Sequence, residues 1–337
     1  MLRAAIVGPG WWGKTLVTAV QGKSDAITFV AAVARTPAKV EDFCRQHGLK
    51  LLDDYDAALA DPDIDAVVLA TPHSQHGDQV RRAAAARKHV FCEKPFTLTA
   101  ADARSAVDAA KKAGIVLAVG FNRRFHPSMQ ELKRRVQDGA LGAIETCIGE
   151  HTAGTGASIQ PGFWRADASE TPAGAMGGIG IHTVDTMIHL LGRITEVHCV
   201  TARRAAPHVD DTTTVMVKFQ EGIAGTFFCS LTTVPNYRFA VYGSKAFAEI
   251  VKPSLDEFRF APVPDPKLGH LAVVQPEVKQ TSGFDTLFAE LTTFAACIRD
   301  KKAYPVPLDE VVHGVEVFEA IAQSAKAGKP VKVGSAT

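Results

Sequence analysis

Gly8-Pro9-Gly10-Trp11-Trp12-Gly13 limits this chain's possible folds more than any other stretch. It follows a short apolar run, Ala4 to Val7, and opens a helical pattern. In a strand-turn-helix context each glycine has its own task. The first permits a tight turn, the second lets backbone approach a pyrophosphate, and the third lets the helix pack closely on the strand. The helix N-terminus then meets the phosphate charge. Gly8, Gly10 and Gly13 are therefore candidate cofactor contacts, with Trp11 and Trp12 bordering the same site.

Up to Phe121 the chain alternates short β-branched runs with amphipathic helical stretches, the pattern of a parallel sheet wrapped by helices. Strands are expected near Ala4–Val7, Thr28–Val33, Ala66–Ala70, His89–Cys92 and Val116–Val119. Thr99, with Asp102 three residues on, marks a helix start, and Gly114 marks its stop. Beyond Phe121 a helix near Ser128–Asp138 leads to strands without helices between them: Ile194–Thr201, Thr212–Phe219, Ala224–Leu231, Phe239–Tyr242 and Ala246–Val251. Such a run predicts an antiparallel meander. Pro253–Glu277, rich in proline and charge, is expected to be a long surface excursion, and helices near Phe284–Ile298 and Asp309–Ala327 close the chain. The fold class is thus an α/β, doubly wound Rossmann domain over 1–121, followed by an α+β domain with a mainly antiparallel sheet over 122–337.

The 337 residues, 46% of them hydrophobic, suffice for two cores. Lys plus Arg (37) nearly balances Asp plus Glu (36), with no basic run interleaved with aromatics, so no nucleic-acid partner is expected. No stretch nears the roughly 18 apolar residues of a membrane span, and no leader precedes Ile6-Val7-Gly8, so a cytoplasmic protein is expected. Six scattered cysteines lack metal or disulfide spacing and read as reduced, buried thiols. Cys92 stands out only because it sits beside Glu93 and Lys94.

An NAD site usually places an acid about 20 residues after the glycine turn, at the end of the second strand, for the ribose hydroxyls. Here that strand ends Ala34-Arg35-Thr36. Arg35 can grip a 2′-phosphate bidentately and Thr36 can donate to it, which favours NADP, with NAD as the alternative.

Gly8–Gly13, Thr71-Pro72-His73-Ser74-Gln75-His76, His89–Pro95, Gly120–Pro127 and Gly177–Asp185 together resemble the glucose-fructose oxidoreductase, inositol dehydrogenase and MocA family over nearly the whole chain. The resemblance implies a Rossmann domain, then an open-faced antiparallel sheet domain, with the active site in the intervening cleft. It also implies homodimers or homotetramers, assembled through the C-terminal sheet. The activity implied is hydride transfer between nicotinamide and a hydroxyl or carbonyl of a small sugar, polyol or related hydroxylated compound.

Such chemistry needs a group that stabilises charge on the substrate oxygen and one that exchanges its proton. Lys94, at the carboxyl edge of a parallel strand, suits the first task. Glu93 should point away from it, to anchor the loop or meet the cofactor; Pro95 is expected after a cis bond, as in relatives. By resemblance His182 is the second acid/base group. Asp185, one turn on, is a candidate to orient it or hold a substrate hydroxyl. Gly178 departs from the pattern: polyol-oxidising relatives usually carry Asp there. Trp164 and Arg165, Asn122 and Arg124, and Thr71, Pro72 and His76 complete the candidate cofactor contacts. Neither a metal nor a nucleophilic triad is required. Two other classes stay open: a glycosidase using a transient redox step, and a dinucleotide-binding regulator without turnover.

Overall fold

The computed structural model describes residues 1–268 and 272–334. In chain order the elements begin β1 (Leu2–Val7), α1 (Trp11–Val20), β2 (Ile27–Val33), α2 (Glu41–His47), β3 (Lys50–Leu52), α3 (Tyr55–Ala60), β4 (Ala66–Leu69), α4 (His76–Ala85), β5 (His89–Cys92), α5 (Ala100–Ala113) and β6 (Leu117–Val119). Next come α6 (Pro127–Gln137), β7 (Ile144–Thr152), α7 (Ile181–Leu191), β8 (Ile194–Ala202), β9 (Thr212–Phe219), β10 (Ala224–Ser230), β11 (Asn236–Gly243) and β12 (Ala246–Val251). The last are β13 (Glu257–Pro262), β14 (Glu277–Gln280), α8 (Thr286–Asp300), α9 (Leu308–Ala327) and β15 (Val331–Lys332). Two compact units result: Met1–Asn122 with Asp285–Val315, and Arg123–Phe284 with the chain from Glu316.

In the first unit six parallel strands lie in the order β3-β2-β1-β4-β5-β6. This is the doubly wound dinucleotide-binding order, whose direction reverses between β1 and β4. β4 is buried along its full length and β5 from Val90 on, as a sheet covered on both faces requires. The expected caps are present on α5: Thr99 accepts from the Asp102 N–H at 3.2 Å, and Gly114 adopts φ +69°. The short edge strand β3 escaped the sequence reading, having only three residues. α8 packs on β5, where the Phe91 and Phe294 rings meet at 5.8 Å.

The second unit is built on nine strands in the order β14-β13-β12-β11-β7-β10-β9-β8-β15. The meander expectation needs correcting: β7 inserts between β10 and β11, parallel to β10. Pro253–Glu277 is not wholly an excursion either. β13 extends the sheet from β12, and β14 pairs with β13. Their polar character misled because charges answer one another on the strands: Arg259 reaches both Glu249 and Glu257. β9 follows its alternation as read, with Thr213, Val215, Val217 and Phe219 buried and Met216 59% exposed.

Candidate active site

The glycine turn joins β1 to α1 at the carboxyl edge of the parallel sheet. Gly8 adopts φ +82°, and a Cβ on it would stand 2.9 Å from the Ala70 carbonyl oxygen. Only glycine is comfortable there. At Gly13 a Cβ would lie 2.5 Å from the Gly8 oxygen, so the helix approaches the turn as closely as the motif implies. Gly10 begins α1 with no side chain capping its first turn. Those amides form the cradle a pyrophosphate needs, and the fit to a dinucleotide rests on this backbone. Trp11 is 78% exposed beside it, with Trp12 tilted against it at 5.5 Å. Arg35 and Thr36 are exposed just past the end of β2.

The loop after β4 is tied to the loop after β5. His76 is fully buried, with Nε2 3.0 Å from the Thr71 oxygen and Nδ1 3.0 Å from that of Pro95. Its ring is thus a structural tie. The Thr71 hydroxyl donates to Gln79 at 2.6 Å. Pro72 caps the short turn that enters α4. The Lys94–Pro95 peptide is cis. Glu93, 5% exposed, accepts from the Lys94 amide at 3.2 Å. Cys92 is fully buried beneath, and burial followed by the Glu93 charge holds its thiol far above the usual range, so it is not a nucleophile. The other five cysteines are also buried and free of disulfides. Asn122 commits its amide to the Thr286 hydroxyl on α8 at 2.7 Å.

In the second unit Met176–Gly180 forms a π-helical turn that runs into α7, an irregularity often found at functional sites. It delivers His182 on the first turn of α7, 8% exposed. Gly178 has open space: no heavy atom lies within 4 Å of an ideal Cβ. Around His182 stand His151 and Tyr237, which the sequence reading missed, and Arg123. His151, near the end of β7, lies 6.0 Å from His182 ring to ring and 5.4 Å from Tyr237. Its Nδ1 faces the Ile179 oxygen at 2.9 Å, and its Nε2 faces the Arg123 guanidinium at 3.0 Å. Arg123 also lies over the Tyr237 ring at 4.3 Å. Burial raises the Tyr237 phenol, opposed by the Arg123 charge. Thr186 joins α7 to this cluster through its hydroxyl, which meets the Tyr237 hydroxyl at 3.3 Å and donates to the His182 oxygen at 2.9 Å. The strand alternation of β7, with Cys147, Gly149 and His151 inward, was the signal that could have located His151.

Arg124 and Asp185, assigned separately to a bound anion and to His182, meet each other. Arg124 Nε donates to both Asp185 oxygens at 3.0 Å, and Nη2 to one at 2.6 Å. The third nitrogen, Nη1, lies 3.0 Å from His189 Nδ1. Both partners are buried, at 4% and 6% exposure. The pairing has a plain cause: a guanidinium so enclosed takes the nearest carboxylate as its counter-charge. His189 is held down to about 3, first by burial and then by the Arg124 and Lys133 charges, so it is neutral. Trp164 and Arg165 do associate, the guanidinium standing 4.1 Å over the indole. Among the described residues no cluster could hold a metal ion, and no helix is long and apolar enough to cross a membrane.

Residues 2–121 match the oxidoreductase family with an NAD-binding Rossmann fold, and residues 129–249 match the GFO/IDH/MocA C-terminal domain. An inositol 2-dehydrogenase of Rhizobium meliloti (strain 1021) is 31% identical over 252 residues, 72% of this chain and 74% of the relative. A scyllo-inositol 2-dehydrogenase (NAD(+)) of Bacillus subtilis (strain 168) is 28% identical over 98% of this chain and 96% of its own length. The crystal structure of an aldose-aldose oxidoreductase from Caulobacter crescentus, complexed with glycerol, superposes with a TM-score of 0.84 at 27% identity, covering 98% of this chain and 99% of that one. Glycine turn, sheet order and paired family matches agree, and the chain belongs to the GFO/IDH/MocA family of NAD(P)-binding oxidoreductases.

Proposed function

We propose that the chain is an NADP-preferring dehydrogenase acting on a CH–OH group of a small sugar, polyol or related hydroxylated compound. The observation that carries this is the Glu93-Lys94-Pro95 turn. It places a half-buried lysine at the carboxyl end of β5, on the sheet edge that also bears the glycine cradle. Gly8, Gly10 and Gly13 would hold the pyrophosphate through backbone, with Trp11, Trp12, Thr71 and Pro72 bordering the dinucleotide. When bound, the nicotinamide supplies the hydride acceptor or donor.

Lys94 stabilises negative charge on the substrate oxygen, and His182 exchanges the hydroxyl proton. His151, Arg123 and Tyr237 hold the surroundings of His182, while Asp185 positions α7 through Arg124 rather than touching substrate. Trp164 and Arg165 offer a flat cationic surface suited to a cofactor or an anionic substrate group. Arg35 and Thr36 would meet the 2′-phosphate of NADP, and Ala34 removes the acid that would repel it. The Bacillus relative is named for NAD(+), so the choice turns on these positions of this chain.

The outer face of the second sheet supports self-association. Val200, Met216 and Phe228 are 61%, 59% and 36% exposed, and the cross-strand pairs Val200–Thr214 and Thr214–Phe228 bring two of them into one row. A dimer or tetramer through this face buries them.

The functional proposal is tested by titrating NADP and NAD and then screening sugars, polyols and aromatic hydroxy acids with wild type and Lys94→Ala. NADP should bind at least about tenfold tighter, a difference of about 1.4 kcal/mol. An NAD preference of that size ends the Arg35 assignment, and release of an aglycone without net cofactor change would make the chain a hydrolase.

A further inference from the structure

Glu290 lies on α8 and is fully buried, and neither of its carboxyl oxygens has a hydrogen-bond partner among the described residues. Its place follows from the packing of α8 on β5. The Phe294 and Phe91 rings meet at 5.8 Å. One helical turn back from Phe294 is Glu290, and two residues up the strand from Phe91 is Glu93, each on the same face as its aromatic neighbour. Helix and strand thus bring two carboxyls together just beyond an aromatic contact. Gly120 confirms how little room remains, since a Cβ there would lie 3.0 Å from Glu93 Oε1.

The charged groups acting on Glu290 are Glu93, Lys94 and Asp285. Asp285 is the N-cap of α8, accepting from the Leu287 and Phe288 amides at 3.0 Å each. With Glu93 and Asp285 ionised, two negative charges already stand near one ammonium. A third, on a fully buried carboxyl that no donor among the described residues reaches, would have nothing to balance it. Burial and the Glu93 charge accordingly raise the Glu290 carboxyl well above the usual carboxylate range.

We propose that Glu290 is the proton-holding member of a carboxyl pair with Glu93, and that this pair sets the charge state of the Glu93-Lys94-Pro95 turn. Glu290 is a positioning residue, acting on Lys94 through Glu93; the inference rests on the charge-stabilising role given to Lys94 above. Near neutrality the pair carries one negative charge, matched by one ammonium. As the pH rises Glu290 releases its proton to solvent, the pair gains a second charge, and Lys94 holds its own proton more tightly. The device delays loss of the lysine's charge on the alkaline side.

Two measurements on the full chain test this. Infrared spectra should contain a protonated-carboxyl carbonyl stretch at neutral pH that disappears in Glu290→Gln. The pH profile of kcat/KM should lose its alkaline limb about 1 pH unit earlier in Glu290→Gln, because a fixed neutral amide never supplies the second charge. Glu290→Asp, which keeps an acid, should restore part of the shift. If the glutamine variant does not fold, Glu290→Met serves for both readouts. No difference in the carboxyl stretch between wild type and the folded variant, or an unmoved alkaline limb, overturns the proposal. A wild-type rate in Lys94→Ala with the carboxyl stretch still present would instead overturn the role of Lys94 and leave the carboxyl pair standing.

Discussion

Replacing Asp185 by asparagine decides what its carboxylate is for. Its oxygens accept three contacts from Arg124, at 3.0, 3.0 and 2.6 Å, and the two residues are 4% and 6% exposed. Removing the negative charge leaves a guanidinium enclosed without its counter-charge, which costs about 3–5 kcal/mol. Asparagine keeps the shape and can still accept one bond, so Asp185→Asn should fall near the lower end, about 3 kcal/mol. Removing both charges together, as Arg124→Met with Asp185→Leu, should recover most of that loss, with a coupling of about 2 kcal/mol or more in the double-mutant cycle. Denaturant unfolding followed by far-ultraviolet circular dichroism reads Asp185→Asn and the four proteins of the cycle: wild type, Arg124→Met, Asp185→Leu and the double variant. An unchanged unfolding midpoint in Asp185→Asn, joined to a turnover reduced a hundredfold, would refute the positioning role and return Asp185 to the reacting groups.

Further outcomes are expected. Arg35→Ala should weaken NADP binding by about tenfold or more and leave NAD binding unchanged, read by fluorescence titration. Gly8→Ala, at φ +82° with a backbone oxygen 2.9 Å from the new Cβ, should lose cofactor binding before it loses fold. At Gly178 an added Cβ meets no neighbour within 4 Å, so the stability of Gly178→Asp should stay within about 1 kcal/mol of wild type while the KM for inositol-like polyols falls. His189 is neutral in the folded protein down to about 3, whereas the unfolded chain takes up its proton near 6.5. Stability is therefore lost as pH falls below about 6.5, by at most about 1.4 kcal/mol per pH unit from this residue, and His189→Leu should flatten that slope.

Much of the first unit could be read in advance because its determinants are local. Gly8, Gly10 and Gly13 act through their own backbone, β5 is a continuous apolar run, and Thr99 and Gly114 cap α5 without outside help. The second sheet was harder where pairing is distant. β7 joins strands more than 70 residues later in sequence, and nothing in Ile144–Thr152 names β10 or β11 as partners. β13 and β14 carry charges that look like solvent-facing loop until Arg259 is seen between Glu249 and Glu257. Among the candidate residues, Lys94 and His182 were visible through short motifs, but the Arg124–Asp185 pair spans 61 residues and depends on how α7 packs. Glu290 was hidden for the same reason: in sequence it is one acid on an amphipathic helix, and only the packing of α8 on β5 buries it beside Glu93.

The most direct test of the account is single-turnover hydride transfer in wild type and Lys94→Ala, with NADP saturation confirmed for each by titration and a sugar or polyol that wild type oxidises. Loss of roughly 10²–10⁴-fold in rate with cofactor affinity retained is the predicted result. Equal rates in the two proteins would contradict the claim that the Glu93-Lys94-Pro95 turn supplies the cation on which the chemistry depends.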